Sequence, residues 1–243
     1  MANAGDFHKL TKYSRQQLPS SITADATHAT PAKRYPASLP RLTLARPEKL
    51  SKATFWELVA RRRSVREYAA VGLTAEELFL LLWSTQGITQ PGHLPLRATP
   101  SAGARYPLET YVVVNRLTGA APGLYYWELP EERLVLLRRD EGLGQAVAGA
   151  CLDQQMCAEA ACVFLWTAVF ARTLSRYGDR GWRYIYLDAG HVGQNLQLAA
   201  TALGLGSCNI AALFDDEVNQ LLGIDGDAES IIYAATVGRP ANG

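Results

Sequence analysis

The stretch YGDRGWRYIYLDAGHVGQNLQLAATAL, residues 177–203, is the longest regular pattern in the sequence. From residue 182 to residue 203 it predicts one long helix. Its apolar side chains are spread around most of the circumference and comprise Ile185, Leu187, Val192, Leu196, Leu198 and Leu203. A helix of that kind is buried on more than one side. Because a domain of this size has few places to bury such a helix, we expect it to lie at a subunit interface.

The same helix carries polar side chains at helical spacing, namely Asp188, His191, Gln194 and Asn195. His191 has two interpretations that stay open. It is either a catalytic residue or, as the neighbouring polar groups favour, an imidazole hydrogen-bonded to Asp188 or Asn195 inside the interface. Gly204 follows the helix and suits a left-handed C-terminal cap.

The composition is that of a globular protein, with 48% hydrophobic and 19% charged residues over a length of 243. A formal net charge of +1 excludes a general nucleic-acid binder, because such proteins carry broad basic faces. The N-terminus lacks the apolar core of a signal peptide, and no apolar run approaches the length of a membrane span. We expect neither nucleic acid nor a membrane as a partner.

The four cysteines are Cys151, Cys157, Cys162 and Cys208. They form no CxxC pair and have no metal-ligand spacing with histidine, so no metal site is predicted. Apolar neighbours are typical of free, buried thiols. A reduced, cytoplasmic protein is the expectation.

Two regions differ in composition. Residues 1–50 are polar and contain helix-breaking prolines at Pro19, Pro31, Pro36, Pro40 and Pro47. We interpret residues 1–50 as an extended N-terminal arm that packs on a surface, with disorder as the alternative. The arm is favoured by the apolar anchors Phe7, Tyr13, Tyr35 and Leu42. Residues 51–243 form the folded domain.

Two threonines mark the starts of helices. Thr54 precedes an apolar run, and Thr74 is followed three residues later by Glu77, which is a capping box. Strands are predicted at 109–115, 124–129, 133–137, 161–169, 208–213 and 230–237, and further helical segments at about 143–156, 172–177 and 215–222.

Residues 61–66, RRRSVR, place four arginines and a hydroxyl within six positions. Guanidinium forks match phosphate oxygens and stay charged, so the cluster suits a phosphate. The alternative is a solvated helix end, where arginines complement the helix dipole. Taken alone, the stretch favours the helix end. The near-neutral chain restricts any phosphate ligand to something small and local.

Residues 100–107, PSAGARYP, form a loop of small residues bounded by two prolines. Such a loop can be rigid and let a flat ligand approach the backbone closely. A plain turn is the alternative, which the loop sequence alone favours.

Four landmarks occur in order along residues 55–240: 62–66 (RRSVR), 100–107, 177–196 and 238–240 (GRP). Together they resemble the nitroreductase-like flavoprotein family, and more narrowly its azoline dehydrogenase branch, which matures thiazole- and oxazole-containing peptides. The stretch 177–196 is the most specific single match. Phe7-His8 and Thr11-Lys12-Tyr13 also resemble that branch.

The resemblance implies an α+β fold, with a central, mostly antiparallel sheet flanked by helices. It also implies an intertwined homodimer with one FMN in each of two interface sites. In that family Arg62, Ser64 and Arg66 match the motif that holds the FMN phosphate and ribityl chain, with Arg63 as an assisting neighbour. The other matched positions are Pro100, Ser101, Ala102 and Gly103 in a loop from the partner subunit, Asn209, Ile210, Ala211 and Ala212 near the flavin ring, and Gly238 and Arg239 at the phosphate.

Arg176 and Tyr177 occupy the positions of a lysine–tyrosine pair that the azoline-oxidising branch uses to remove a ring proton. Arginine is not deprotonated in proteins, so Arg176 cannot be a general base. Tyr177 either exchanges the proton or only packs over the flavin, and both interpretations stay open.

The resemblance therefore implies an FMN-dependent oxidoreductase that dehydrogenates a peptide-derived azoline, or another small heterocycle, by hydride transfer to flavin N5. Other peptide-maturation enzymes would be its partners. One alternative is a nitro- or quinone reductase fed by NAD(P)H on the same scaffold. Another is a non-catalytic, flavin-binding subunit of a maturation complex, which the Arg176 substitution keeps open.

Overall fold

The computed structural model describes residues 4–12, 33–44, 46–48 and 51–241. Within these residues the helices are α1 (Ala4–Leu10), α2 (Phe55–Arg61), α3 (Ala75–Gln86), α4 (Leu143–Ala150), α5 (Met156–Glu159), α6 (Ala171–Tyr177), α7 (Gly181–Ala202) and α8 (Asp215–Leu222). The strands are β1 (Arg41–Thr43), β2 (Ile88–Gln90), β3 (Leu96–Arg97), β4 (Leu108–Val114), β5 (Gly123–Glu128), β6 (Arg133–Arg139), β7 (Cys162–Val169), β8 (Gly206–Ile210) and β9 (Glu229–Gly238).

Seven of these strands form one sheet in the order β1-β6-β5-β4-β7-β9-β8. Every neighbouring pair in it is antiparallel. β2 and β3 form a separate two-stranded ribbon. The predicted α+β class and antiparallel sheet are confirmed.

Helices cover both faces of the sheet, and β7 explains why its sequence is apolar throughout. Phe164 and Trp166 pack in the layer that contains α3 and α7. Val163 and Leu165 point to the opposite layer, which contains α4 and α8. Because successive side chains of a strand alternate between faces, a strand covered on both faces is apolar at every position.

The predicted helix caps are present. At Thr74 the hydroxyl accepts from the Glu77 amide at 3.2 Å, and the Glu77 carboxylate accepts from the Thr74 amide at 2.9 Å. Thr54 makes the same reciprocal pair at the start of α2. A reciprocal pair of this kind satisfies two amides that the first helical turn leaves without partners.

The helix predicted at 143–156 is wrong in its length. The chain leaves α4 after Ala150 and begins the short α5 at Met156. Between them Leu152 and Asp153 have left-handed φ angles of 57° and 59°, which a continuous helix cannot contain.

The N-terminal arm is described in part. Residues 4–10 are helical, so the extended form predicted for 1–50 is wrong there, whereas residues 41–43 are extended and join the sheet as β1 beside β6. Tyr13, Pro19 and Pro31 lie outside the described residues. The division into an arm and a domain stays a prediction.

The long helix α7 has one buried face in this chain, formed by residues such as Ile185, Val192 and Leu196. On its outer face Tyr186 and Leu187 are exposed, Leu187 by 58%. The burial on several sides that the sequence predicts therefore requires a second chain, and the interface stays a prediction. Among the described residues, no helix combines the length and apolarity needed to cross a membrane.

Candidate functional site

The segment after α2 lies along the ends of β8 and β9. The amide of Val65 donates to the carbonyl of Ser207 at 3.0 Å, and Ser64 forms a bridge with the same residue. A Cβ atom added at Gly206 would lie 2.7 Å from the Val65 Cβ, so the close approach requires glycine. The arginine motif is thus held by backbone contacts to the sheet.

The C-terminal end of β9 brings a second part of the predicted phosphate site to the same place. The amide of Ala69 donates to the carbonyl of Arg239 at 2.9 Å. Tyr68 is buried, and its hydroxyl donates to the Val65 carbonyl at 2.6 Å. A depression follows, lined by Ser64, Val65, Arg66, Glu67, Pro240 and Ala241. We call the set Arg62, Ser64, Arg66, Gly238 and Arg239 the basic cluster.

Charge in the basic cluster is incompletely compensated. Arg62 donates to the side-chain oxygen of Gln197 on α7 at 3.1 Å, and Arg239 pairs with Glu77 at 2.6 Å. Arg63 turns back to the backbone carbonyls of Ala60 and Arg62. Within the described part of the chain, no carboxylate forms a salt bridge with Arg62, Arg63 or Arg66. Guanidinium groups without carboxylates, beside a serine hydroxyl, suit a phosphate monoester.

Asn209 and Ile210 end β8, and Ala211 and Ala212 follow as an exposed loop. The strand predicted at 208–213 is therefore shorter at its C-terminal end and begins at Gly206. The Oδ1 atom of Asn209 is buried and has no hydrogen-bond partner among the described residues. Buried acceptors are normally satisfied, so this atom suits an N–H group of a ligand.

The loop at residues 100–103 is held at Ser101. The Ser101 hydroxyl donates to the Asp188 carboxylate at 2.5 Å and accepts from the Tyr106 amide at 2.9 Å. Left-handed φ angles follow at Gly103 (60°), Ala104 (51°) and Tyr106 (44°). The loop is therefore a tight, anchored turn, and its anchor is a residue of α7.

Asp188 is buried at the contact between α7 and this loop. Burial raises the pKa of its carboxyl to about 6, although the Ser101 hydroxyl, the Ala102 amide and nearby His191 oppose the shift. The sequence pattern does not predict this anchor, because it groups Asp188 with His191 and Asn195 as one polar stripe. In the structure Asn195 donates to the Ser84 carbonyl instead.

Tyr177 packs directly against the anchored turn. A Cβ atom added at Gly103 would lie 2.3 Å from the Tyr177 hydroxyl oxygen. The Arg176 guanidinium carbon is 5.5 Å from the centre of the Tyr177 ring. The Tyr184 and Tyr177 rings meet edge to face, with their centroids 4.9 Å apart. We call Gly103, Arg176, Tyr177 and Tyr184 the tyrosine cluster. Beside it lies a depression lined by Pro100, Ser101, Ala102, Tyr184, Leu187, Asp188 and His191.

Apart from residues 209–212 at the end of β8, the predicted site residues thus form two sets. Arg62 contacts α7 at Gln197, and Ser101 contacts α7 at Asp188. These positions are nine residues apart, which is about 14 Å along a helix. One chain alone brings Arg62, Ser64, Arg66 and Arg239 together at one end, and residues 100–103, Arg176 and Tyr177 together at the other.

Comparisons with known proteins agree with the fold. The profile described as "Nitroreductase family" matches residues 59–239. A provisionally named nitroreductase of Methanocaldococcus jannaschii, MJ1384, is 40% identical over 168 residues, which are 69% of this chain and 83% of that protein. The trifolitoxin-processing protein TfxB of Rhizobium leguminosarum is 31% identical over 150 residues, 60% of this chain and 40% of TfxB.

Solved structures show the same architecture. A provisionally named nitroreductase from Anabaena variabilis has a TM-score of 0.71 and 30% identity, covering 97% of this chain and 46% of its own. A chain of the E. coli microcin synthetase McbBCD complex has a TM-score of 0.62 and 18% identity. The match covers 96% of this chain and 90% of the McbBCD chain. A provisionally named nitroreductase from Desulfovibrio desulfuricans, solved with FMN, has a TM-score of 0.56 and 20% identity. The match covers 79% of this chain and 88% of the Desulfovibrio chain. This chain spans less than half of the Anabaena protein and of TfxB.

Proposed function

The chain belongs to the nitroreductase family, and on that premise we propose that it is an FMN-dependent oxidoreductase whose flavin phosphate is held by the basic cluster. The observation that carries the proposal is the charge of that cluster. Arg62 and Arg66 have no carboxylate partner in the described residues and stand beside Ser64 at the end of the sheet. A doubly charged phosphate monoester supplies the missing negative charge.

Other groups of the chain fit the rest of FMN. The unsatisfied Oδ1 atom of Asn209 can accept from a ring N–H group, and the exposed loop at Ala211 and Ala212 offers backbone amides. When bound, FMN would supply the hydride-accepting centre, so the protein need provide only binding, orientation and control of protons.

We propose that protons are exchanged at the tyrosine cluster. Arg176 stays charged and cannot act as a base, but its guanidinium lies over the Tyr177 ring and fixes its position. The Tyr177 hydroxyl is then the atom that exchanges a proton with the substrate. Tyr184 makes an edge-to-face contact with the Tyr177 ring, which further restricts the position of that ring.

The proposed substrate is a peptide-derived azoline or another small heterocycle. Support comes from the similarity to a protein named for trifolitoxin processing and from the tyrosine at position 177. Other enzymes of peptide maturation are then the proposed partners. The second candidate is NAD(P)H-driven reduction of nitro compounds or quinones. It is favoured by the similarity to MJ1384 along most of that protein.

We propose a homodimer because each chain holds the two sets of site residues at separate places on α7. A second copy, related by a two-fold axis, would bring the 100–103 loop of one chain to the basic cluster of the other. Exposed apolar side chains support a further contact surface: Phe55, Trp56 and Val59 of α2, with Trp56 exposed by 77%.

The visible spectrum of the purified protein tests the cofactor, since bound FMN gives a yellow protein. Bleaching of that colour under anaerobic conditions then separates the reactions. Bleaching by a synthetic azoline peptide supports dehydrogenation, whereas rapid bleaching by NADH or NADPH supports the reductase. A protein that binds FMN but is reduced by neither is the non-catalytic subunit. A colourless protein that takes up no FMN overturns every flavin proposal.

Tyr177→Phe tests the role of the hydroxyl. We expect a fall in the rate of reduction by substrate of about 10²–10⁴-fold, the range typical of a lost general acid or base, with FMN content unchanged. Tyr186→Phe is the matched control, because Tyr186 is an exposed tyrosine of the same region. Equal rates in the wild type and Tyr177→Phe would leave Tyr177 with a packing role only.

A further inference from the structure

The segment that contains the N-terminal helix α1 is attached to the start of α7 through a buried threonine. Thr11 is exposed by 3%, whereas Leu10 beside it is exposed by 70%. The Thr11 hydroxyl accepts from Arg183 Nε at 2.6 Å and donates to the Phe7 carbonyl at 2.5 Å. The Thr11 carbonyl accepts from Arg180 Nη1 at 3.1 Å. Two arginines therefore converge on one residue of the arm.

This attachment is largely polar. A terminal segment gains most by burying apolar surface. Here Phe7 and Leu10 stay exposed, and the hydroxyl is the group that is buried. The hydroxyl has two hydrogen-bonding neighbours, Arg183 and the Phe7 carbonyl, and the Thr11 carbonyl has a third, Arg180. Such a residue is sensitive to position, because hydrogen bonds weaken steeply with distance and angle.

The contacts continue from Thr11 to the tyrosine cluster. The Arg180 guanidinium carbon lies 5.7 Å from the centre of the Tyr184 ring. Tyr184 meets Tyr177 edge-on, and Tyr177 packs on Gly103. A second contact runs in parallel, since the Phe7 ring meets the Tyr186 ring edge-on with centroids 6.4 Å apart.

From this continuous chain of contacts we propose that Thr11 is a positioning residue for the substrate side of the site. Thr11 fixes the Arg180 guanidinium, Arg180 fixes the Tyr184 ring, and Tyr184 holds Tyr177 against the 100–103 loop. The effect of Thr11 on turnover rests on the proposed function. The structural coupling between Thr11 and Tyr177 does not depend on that function.

Thr11→Val tests the coupling, because valine keeps the branched shape but removes the hydroxyl bonds to Arg183 and the Phe7 carbonyl that hold the Thr11 carbonyl in place against Arg180. Amide hydrogen exchange is followed by mass spectrometry in segments 4–12, 177–187 and 108–114. Since a hydrogen bond contributes about 1 kcal/mol, we expect exchange in 177–187 to rise about five- to tenfold along with that in 4–12. Segment 108–114, in the buried strand β4, should not change.

Thr11→Ser is the conservative variant and should restore wild-type exchange in 177–187. Thr89→Val is the matched control, since the Thr89 hydroxyl also donates to a carbonyl, that of Leu96, but in the β2–β3 ribbon. Faster exchange confined to 4–12 would mean that Thr11 anchors only its own helix, and this result overturns the proposal. No change in either segment overturns it as well.

Turnover is measured in the same variants with the substrate that bleaches the wild-type flavin. We expect Thr11→Val to lower kcat about tenfold at unchanged FMN content, and Thr11→Ser to keep it. If Thr11→Val does not fold, Arg180→Lys keeps the charge, loses the planar fork, and is expected to give the same exchange pattern in 177–187. If the wild type binds no FMN, the proposed function fails while the exchange result still decides the coupling.

Discussion

The hydroxyl of Ser101 lies 2.5 Å from the carboxylate of Asp188 and joins the 100–103 loop to the buried face of α7. This bond holds the loop on which Tyr177 packs. Burial raises the pKa of the Asp188 carboxyl to about 6. The geometry of the loop is therefore linked to pH.

Deprotonation of Asp188 should lower the free energy of unfolding as pH rises from about 4 to about 6. The carboxyl titrates near 3.9 in the unfolded chain and near 6 in the folded one, so the folded state binds more protons in this interval. The free energy of unfolding should fall by up to about 2–3 kcal/mol across it. Asp188→Asn should remove that part of the slope, as measured by urea unfolding at several pH values. Nearby His191 is the weakest of the groups that oppose the rise in the pKa of Asp188. Identical slopes in the two proteins would contradict the prediction.

Arg66→Ala should weaken FMN binding strongly. The substitution removes a charge-assisted, two-pronged donor worth about 2–3 kcal/mol, which corresponds to roughly 30- to 150-fold in the dissociation constant. Titration of the apoprotein with FMN by calorimetry measures it. Arg61→Ala, which removes an exposed arginine at the end of α2 outside the basic cluster, is the control and should bind FMN as the wild type does. Unchanged affinity in Arg66→Ala would remove Arg66 from the phosphate site.

Gly103→Ala should destabilise the loop and displace Tyr177. A φ angle of 60° costs a residue with a side chain about 1–3 kcal/mol, and the added Cβ would lie 2.3 Å from the Tyr177 hydroxyl. Thermal unfolding should show a lower midpoint. Gly149→Ala is the control, because Gly149 lies within α4 and its Cβ would meet open space. That control should gain up to about 1 kcal/mol from helix propensity. A Gly103→Ala protein as stable as the wild type would contradict the observed backbone.

Glu109→Ala should be among the most destabilising single changes in the sheet. Glu109 is buried, pairs with Arg172 and accepts from the Tyr126 hydroxyl at 2.6 Å. Its loss removes the carboxylate that pairs with the buried Arg172 guanidinium, and breaking a buried ion pair costs about 3–5 kcal/mol. Glu131→Ala breaks the exposed pair with Arg34 and should cost much less, because solvent screens exposed charges. Urea unfolding compares the two, and equal losses would refute the difference in environment.

Elements set by neighbouring residues were predictable from the sequence. Thr74 and Glu77 are three positions apart, so their capping box follows from local geometry. The apolar run of β7 predicts a central strand for the same reason, since each face needs its own apolar residues. The antiparallel sheet itself follows from the family resemblance and not from any local pattern.

Features that depend on distant residues or on unusual backbone conformations were not predictable. Ser101 and Asp188 are far apart in sequence, and only the fold makes them partners. The break after α4 depends on left-handed conformations at Leu152 and Asp153, which neither residue type favours strongly. Thr11, just after helix α1, contacts Arg180 and Arg183, which are 169 and 172 residues later in the sequence.

The sequence proposes the site residues but not how they are arranged. The basic cluster assembles around Ser64 and Arg239 as the resemblance implies. The loop at 100–103 and Tyr177 assemble elsewhere along α7. Spacing in the sequence cannot distinguish residues that meet within one chain from residues that meet across two.

The separation of the two sets along α7 makes genetic complementation possible. In the proposed dimer, each site takes its basic cluster from one chain and its tyrosine cluster from the other. Homodimers of Arg66→Ala and of Tyr177→Phe are then both defective at both sites. In a mixed dimer both lesions fall in one site and leave the second intact, so co-expression of two inactive proteins would restore activity in the hybrid.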